Sequence, residues 1–295
     1  MTTIKGPGWR CLWEAHCELG ESPIWDGRRQ LLWFVDIERA LIHRFDPVSY
    51  ERRDWQAPCR IGSIALRASG GFVAGTKFGF ATLDPDDGSF AVIDHPEVGL
   101  PSNRFNDGKV DPHGNFWTGT MDDLKRDRSG VLYRLRPDRT WAAIDLGYRI
   151  SNGPAFSPDG ATMYHNDTLD RTTFAFDLAV DGELSNKRVF RVWRDVSGNP
   201  DGMTTDAAGF LWLAFWGGGC VRRVSPAGQI VAEHAVPATN VTSMAFGGRD
   251  LDRMFLTSAA QELDAAETAV QPLAGALFEV LGHGVCGLPG GIWPG

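Results

Sequence analysis

The sequence lacks an excess of basic residues and has no long apolar run. Its 29 lysines and arginines are outnumbered by 37 aspartates and glutamates, which gives a formal net charge of −8. A nucleic-acid-binding surface normally requires a basic patch, so no nucleic-acid partner is expected. No apolar stretch approaches the roughly 20 residues that cross a bilayer, so no membrane partner is expected either.

Cysteines are few and show no pairing pattern. There are five, an odd number, and no two of them form a CxxC pair. Scattered cysteines of this kind are typical of free thiols in a reducing compartment. The first ten residues, MTTIKGPGWR, contain no apolar segment of the kind found in a signal peptide. A cytoplasmic location is therefore expected.

Amphipathic helical stretches are also missing between the strand-like segments, which excludes a chain that alternates strands and helices. Residues 259–270 could hold a helical turn inside a loop. What the sequence does contain is 35 glycines, 11 tryptophans and 43% hydrophobic residues. This mixture suits a large core built from many short strands that are joined by tight turns.

One layout recurs six times along the chain. A polar or small residue enters a strand, a tight turn begins five residues later, and an often aromatic strand follows. We call the six residues that start each copy the entry positions: Glu21, Ser63, Asn106, Asn152, Asp201 and Ser243. Their spacings of 42, 43, 46, 49 and 42 residues match the ~40–50-residue period of propeller blades.

The repeat predicts an all-β fold, a six-bladed β-propeller that forms a single domain over residues 1–295. Each blade should contain four antiparallel strands. The strand-like segment 9–14 has no partner before it, whereas the sixth copy ends after a third strand at 275–280. The N-terminal strand is therefore expected to supply the fourth strand of the last blade and close the ring.

The entry positions should converge on the central channel, because each blade's innermost strand lines it. Four of them carry oxygen-bearing groups that suit a cation: Glu21, Asn106, Asn152 and Asp201. Carboxylates held together out of water require compensation, and oxygen ligands favour Ca²⁺, Mg²⁺ or Mn²⁺. No histidine or cysteine occupies an entry position, which disfavours a structural zinc site, although Zn²⁺ or Fe²⁺ could use a few oxygen ligands. Any one of these residues could instead cap a turn; their shared register favours a metal.

Five motifs in order resemble those of the SMP-30/gluconolactonase family, and the resemblance covers nearly the whole chain. The motifs are LGESP at 19–23, NRFNDGKVDP at 103–112, GTM at 119–121, ISNG at 150–153 and PDGM at 200–203. The resemblance implies a six-bladed propeller with one divalent metal on its axis. The family's metal ligands match Glu21, Asn152 and Asp201.

The resemblance also implies which residues hold a substrate. Asn106 matches a residue that lies beside the metal and contacts substrate, and Arg104 matches a substrate-binding arginine. Family members place an acidic residue shortly after the Gly-Thr-Met motif to bind sugar hydroxyls, and we assign that role to Asp123. The loops 121–129 and 258–271 are expected to set the size of the pocket.

The expected function is metal-dependent hydrolysis of a sugar aldonolactone by a monomer or weak homodimer. The cation would polarise the lactone carbonyl and lower the pKa of water, with Asp201 as both ligand and general base. A serine nucleophile is not expected, because no GxSxG motif is present.

Two other functions fit the same residues. One is hydrolysis of other esters or organophosphates, as in an esterase or phosphotriesterase, and the other is a non-enzymatic propeller that binds calcium or a ligand. Arg104 beside the metal favours a substrate site over ion binding alone.

Overall fold

The computed structural model describes residues 5–6 and 8–295. Part of the N-terminal stretch considered above for a signal peptide, residues 1–4 and 7, lies outside the described residues. The single-domain prediction for 1–295 stays a prediction. Within the described part, the chain forms 25 strands and one six-residue helix. None of its described helices combines the length and the apolar character that crossing a bilayer requires.

The strands form six antiparallel sheets, which confirms the predicted six-bladed β-propeller. Five blades have four strands in sequence order. Blade 1 comprises β3 (Gly20–Asp26), β4 (Leu31–Asp36), β5 (Leu41–Phe45) and β6 (Arg52–Gln56). Blade 2 comprises β7 (Ile61–Leu66), β8 (Phe72–Thr76), β9 (Gly79–Asp84) and β10 (Ser89–Asp94). Blade 3 comprises β11 (Asn103–Val110), β12 (Phe116–Asp122), β13 (Gly130–Leu135) and β14 (Trp141–Tyr148).

The remaining blades follow the same plan. Blade 4 comprises β15 (Ser151–Phe156), β16 (Thr162–Asp167), β17 (Thr172–Leu178) and β18 (Leu184–Val192). Blade 5 comprises β19 (Asn199–Thr205), β20 (Leu211–Trp216), β21 (Cys220–Val224) and β22 (Ile230–Ala235). Blade 6 is formed by β23 (Asn240–Gly247), β24 (Arg253–Ala259) and β25 (Leu277–Val280), together with β2 (Trp9–Trp13) and β1 (Lys5–Gly6). Helix α1 (Ala265–Val270) lies between β24 and β25.

The N-terminal strand closes the ring, as predicted. Strand β2 pairs antiparallel with β25, with Trp9 opposite Val280 and Cys11 opposite Phe278. The two-residue strand β1 extends this sheet to five strands, one more than the sequence predicted. Arg10 and Arg253 both contact the buried Glu279 carboxylate, and these ion pairs tie the N-terminal strand to the C-terminal part of the blade.

Tight turns inside the blades are held by buried aspartates. The Asp111 carboxylate accepts backbone N–H groups of the turn and also the indole N–H of Trp117, at 2.7 Å. Asp206 repeats the arrangement in blade 5, where the indole of Trp212 donates at 3.0 Å. In blades 3 and 5, the turn that begins five residues after the entry position thus also fixes a buried tryptophan side chain.

The core lies between neighbouring blades. Large side chains such as Trp33, Trp117 and Trp212 are almost completely buried there. The innermost strands β3, β7, β11, β15, β19 and β23 contact one another in a closed ring. This ring brings the six entry positions toward one axis.

Candidate functional site

A β-bulge interrupts every innermost strand at or next to its entry position. In blade 1 the pairing shifts between Glu21 and Ile24, and in blade 5 it shifts between Pro200 and Met203. The other four inner strands contain an equivalent irregularity. A bulge inserts one extra residue and redirects its side chain. The residue at each entry position therefore lies at or next to a β-bulge that recurs in all six blades.

The side chains from four entry positions meet in one small cavity on the axis, which we call the axial cavity. Glu21, Asn106, Asn152 and Asp201 line it, together with Arg104. Its volume is about 130 Å³, smaller than the roughly 300–1,000 Å³ of pockets that hold drug-sized ligands. The other two entry positions, Ser63 and Ser243, are buried but do not line the cavity. A small ligand fits this site.

Two loops form the rim of the axial cavity, as predicted from the sequence. Met121 lies near the end of β12 and Lys125 lies in the loop that follows it, whereas Gln261 and Glu262 come from the segment after β24. Trp216, at the end of β20, also lines the cavity.

Burial dominates the electrostatics of the carboxylates at this site. Burial raises the pKa of Glu21 from 4.5 to about 8, and the nearby Asp107 carboxylate adds to the rise. Burial also raises the pKa of Asp201 well above its ordinary value, and the charges of Glu21 and Asp107 raise it further. Within the described residues, no side chain donates a hydrogen bond to the Glu21 or Asp201 carboxylate. Both groups therefore remain available to a cation.

The amides and the arginine form one hydrogen-bonded chain. Asn106 Nδ2 donates to Asn152 Oδ1 at 2.9 Å, and Asn152 Nδ2 donates to Thr168 Oγ1 at 2.8 Å. Arg104 Nη1 donates to Asn106 Oδ1 at 2.6 Å. These contacts turn the Asn152 carbonyl oxygen toward its neighbours on the axis and hold the Arg104 guanidinium in the cavity wall.

Asp123, which the sequence analysis assigned to substrate binding, lies behind Arg104. Its Oδ1 accepts a hydrogen bond from Arg104 Nε at 2.7 Å, and its other oxygen contacts Arg60. Asp123 does not line the axial cavity. In this position it fixes the orientation of the guanidinium, and a direct contact with substrate stays a prediction.

Two further groups, the buried Asp107 and the half-buried Lys109, were not assigned roles from the sequence. Asp107 accepts backbone N–H groups of Gly108 at 2.8 Å and Gly153 at 3.1 Å, and burial raises its pKa. Burial lowers the pKa of Lys109, although the charges of Asp107 and Glu21 oppose this effect. Both residues belong to the NRFNDGKVDP motif, and their i, i+2 spacing on an inner strand was the available signal.

A buried Ser–His pair lies close to the site but does not resemble a nucleophile. Ser151 Oγ lies 2.8 Å from His165 Nε2. Both residues are fully buried, and burial lowers the pKa of His165 to about 3. Within the part of the chain that the structure describes, His165 Nδ1 has no hydrogen-bond partner that could orient the ring. The expectation that no serine acts as nucleophile stays a prediction.

A cluster in blade 1 combines ligand types that metals use, away from the axial cavity. Ligand atoms of Cys17, Asp36 and His43 lie within 4.8 Å of one another. Cys17 Sγ lies 3.6 Å from His43 Nε2, and His43 Nδ1 lies 2.7 Å from Asp54. The Asp36 carboxylate accepts backbone N–H groups of residues 18–19. Hydrogen bonds within the protein thus engage all three residues.

A larger cavity of about 430 Å³ lies near the C-terminal ends of the inner strands. Its lining is mainly apolar, including Ile24, Leu66 and Phe246, and Lys109 reaches it. It lacks the convergent carboxylates and amides, so the smaller axial cavity is the candidate site.

Comparisons with known proteins identify the family and agree with the fold. Residues 19–260 match the family described as SMP-30/Gluconolactonase/LRE-like region. A 6-deoxy-6-sulfogluconolactonase from Pseudomonas putida is 36% identical over 270 residues, which cover 91% of this chain and 93% of the relative. Regucalcin from Bos taurus is 37% identical over 298 residues and 98% of both chains.

The solved structures include a close match in fold. Regucalcin from Agrobacterium tumefaciens, described as a calcium-binding protein, superposes with a TM-score of 0.92 at 29% identity and covers 96% of each chain.

Proposed function

The chain belongs to the SMP-30/gluconolactonase/LRE-like family, and from this premise we propose that it is a metal-dependent lactonase that opens the ring of a sugar aldonolactone. The observation that carries the proposal is the set of buried carboxylates beside Arg104 and Asn106 in a small cavity. A lactone is also the substrate in the name of the Pseudomonas putida relative.

The residues of the site fit a divalent cation. Glu21, Asp107 and Asp201 contribute three negative charges when ionised, and Lys109 contributes one positive charge, so the balance is −3 + 1 = −2. Arg104 is already paired with Asp123. One divalent ion balances this charge, and we assign Glu21, Asn152 and Asp201 as its protein ligands. Oxygen donors favour Ca²⁺, Mg²⁺ or Mn²⁺. Zn²⁺ and Fe²⁺ can also use oxygen ligands, so the metal-readdition assay includes all five ions.

The bound ion would polarise the lactone carbonyl and favour ionisation of a nearby water molecule. Asp201 accepts the proton of the attacking water at its carboxylate oxygen, to which no described side chain donates a hydrogen bond. Attack forms a bond from the water oxygen to the carbonyl carbon, and the bond to the ring oxygen then breaks. Asp201 returns the proton to the departing ring oxygen.

Arg104 and Asn106 orient the substrate. Arg104 is held by Asp123 on one side and by Asn106 on the other, so little side-chain freedom is lost when a lactone oxygen binds. We retain Asp123 as the group that positions Arg104 and as a candidate contact for sugar hydroxyls. A cytoplasmic location and a monomeric or weakly dimeric state remain part of the proposal.

The proposal is tested by pH-stat hydrolysis of a panel of pentono- and hexonolactones. Protein stripped with a chelator should be inactive, and readdition of one divalent ion should restore acid release. Turnover that survives complete metal removal would contradict the proposed mechanism.

A second candidate is a non-enzymatic calcium-binding propeller, which the description of the Agrobacterium tumefaciens relative favours. The same experiment discriminates between the two. Tight calcium binding without turnover of any lactone, ester or organophosphate would support the second candidate.

A further inference from the structure

An ion pair spans the rim of the axial cavity. Lys125 Nζ contacts Glu262 Oε1, and both residues line the same cavity as Glu21, Asn152 and Asp201. Lys125 belongs to blade 3 and Glu262 to blade 6, which lie three blades apart in the ring. The pair therefore reaches across the cavity from opposite sides.

The backbone of the loop holds Lys125 at this rim. The buried Asp122 carboxylate accepts backbone N–H groups of Leu124, Arg126 and Asp127. Lys125 N–H donates to the Asp122 carbonyl at 2.8 Å, and Lys125 has a φ of 55°. Leu124 is 63% exposed and does not line the cavity. The turn thus directs the lysine, and not its apolar neighbour, toward the cavity.

The Lys125 ammonium is the cation of the site that a ligand can recruit at least cost. Arg104 is buried and engaged by Asp123 and Asn106. Among the described residues, Lys125 forms an ion pair only with Glu262, and the two side chains are 37% and 50% exposed. Ion pairs between exposed side chains contribute little, so an anionic group of a ligand can replace Glu262 at the ammonium.

We propose that Lys125 makes the site selective for lactones that carry an anionic group, such as a sulfonate, phosphate or carboxylate, at the end remote from the lactone carbonyl. The proposal rests on the proposed lactonase function. Because Lys125 lines the same cavity of about 130 Å³ as Glu21, Asn152 and Asp201, a single bound sugar can contact both the lysine and these residues. The anionic group binds Lys125 in place of Glu262. The Glu262 carboxylate repels the same group and therefore reduces the selectivity for anionic lactones.

The test compares kcat/KM for a neutral hexonolactone with its 6-phospho and 6-sulfo counterparts. The wild-type protein should prefer the anionic lactones. Lys125→Met should reduce that preference by about tenfold or more, as expected when a hydrogen bond to a charged group is lost. Glu262→Gln should increase it. Lys187→Met is the matched control, since Lys187 forms a similar exposed pair with Asp145 away from the cavity, at 38% exposure.

Equal effects of Lys125→Met and Glu262→Gln on neutral and anionic lactones would overturn the proposal, because they would show that the pair only connects two loops. A wild-type preference for the neutral lactone would also overturn it. Calorimetric titration with gluconate and 6-phosphogluconate measures the same selectivity without turnover. If no lactone is hydrolysed, the proposed function fails. A preference for 6-phosphogluconate over gluconate that depends on Lys125 would still support the role of Lys125. The lack of such a preference would overturn that role.

Discussion

At the scale of single residues, the site depends on charges that burial makes unfavourable. Glu21 and Asp201 sit in bulges of inner strands, where the backbone aims their carboxylates into the axial cavity. Neither carboxylate receives a hydrogen bond from another described side chain. Their raised pKa values follow from this environment, and each predicts a measurable effect.

Asp201→Asn should reduce lactone kcat/KM by at least about 100-fold, because it removes the general base and one charge of the metal site. The fold should persist, since an amide occupies nearly the same volume as the carboxylate. Ser243→Ala is the control at an entry position that does not line the cavity. Rates from pH-stat assays and thermal melting check both variants, and an Asp201→Asn protein with wild-type activity would refute the assignment.

The stability of the chelated protein should fall as pH rises. The Glu21 pKa is about 8 in the folded protein against an ordinary 4.5. A carboxyl whose folded pKa is raised contributes stability that is fully present below pH 4.5 and is lost as pH rises through about 8. In the presence of chelator, the melting temperature should therefore be lower at pH 8.5 than at pH 5.5. With metal bound, the difference between the two pH values should be smaller. Glu21→Gln should weaken this pH dependence of the melting temperature. If the wild-type and Glu21→Gln proteins showed the same pH dependence, Glu21 would not be its source.

At the scale of elements, the inner strands approach one another so closely that some entry-position neighbours must be glycine. A Cβ added at Gly202 would lie 2.2 Å from Ser243 Oγ and 2.8 Å from the Thr242 carbonyl oxygen. The glycine therefore allows β19 and β23 to bring their bulges to the axis.

Gly202→Ala should lower the free energy of unfolding by about 1–3 kcal/mol through overpacking between these strands. Urea denaturation measures the change. Gly99→Ala is the control, because a Cβ at Gly99 meets no atom within 4 Å. Similar stability of the two variants would mean that the inner strands can separate without loss.

The sequence did not predict which side chains of the rim loops face the axial cavity. The motif GTM fixed the start of the loop after β12, but the hydrogen bonds from the Asp122 carboxylate decide which side chain faces the cavity. Contact between Lys125 and Glu262 joins residues 137 positions apart. No local pattern contains that information.

At the scale of the whole molecule, the ring is held closed by one strand from the N-terminal end of the chain. A protein that begins at Glu14 lacks β2 and loses the buried side chains of Leu12 and Trp13. Its free energy of unfolding should drop by more than about 5 kcal/mol, given the usual cost of deleting large core side chains. Urea denaturation compares it with a protein that begins at Gly8. Equal stability would show that closure by β2 is dispensable.

The architecture was predictable because a period of 42–49 residues with a turn five residues after each entry position has few physical solutions. The same register identified four residues of the axial cavity, and the family resemblance added Arg104. Asp107 and Lys109 were missed because their role depends on neighbouring inner strands: Lys109 donates to the Met203 carbonyl of blade 5. Such contacts between blades leave no signal within one repeat.

The proposed function requires that one divalent ion at the axial cavity activates lactone hydrolysis. The most direct test titrates metal into chelator-stripped protein while acid release from a hexonolactone is recorded. Activity should rise linearly and saturate at one ion per chain, and Asp201→Asn should gain no activity at any metal concentration. Activity that is independent of added metal, or that saturates without any need for Asp201, would contradict it.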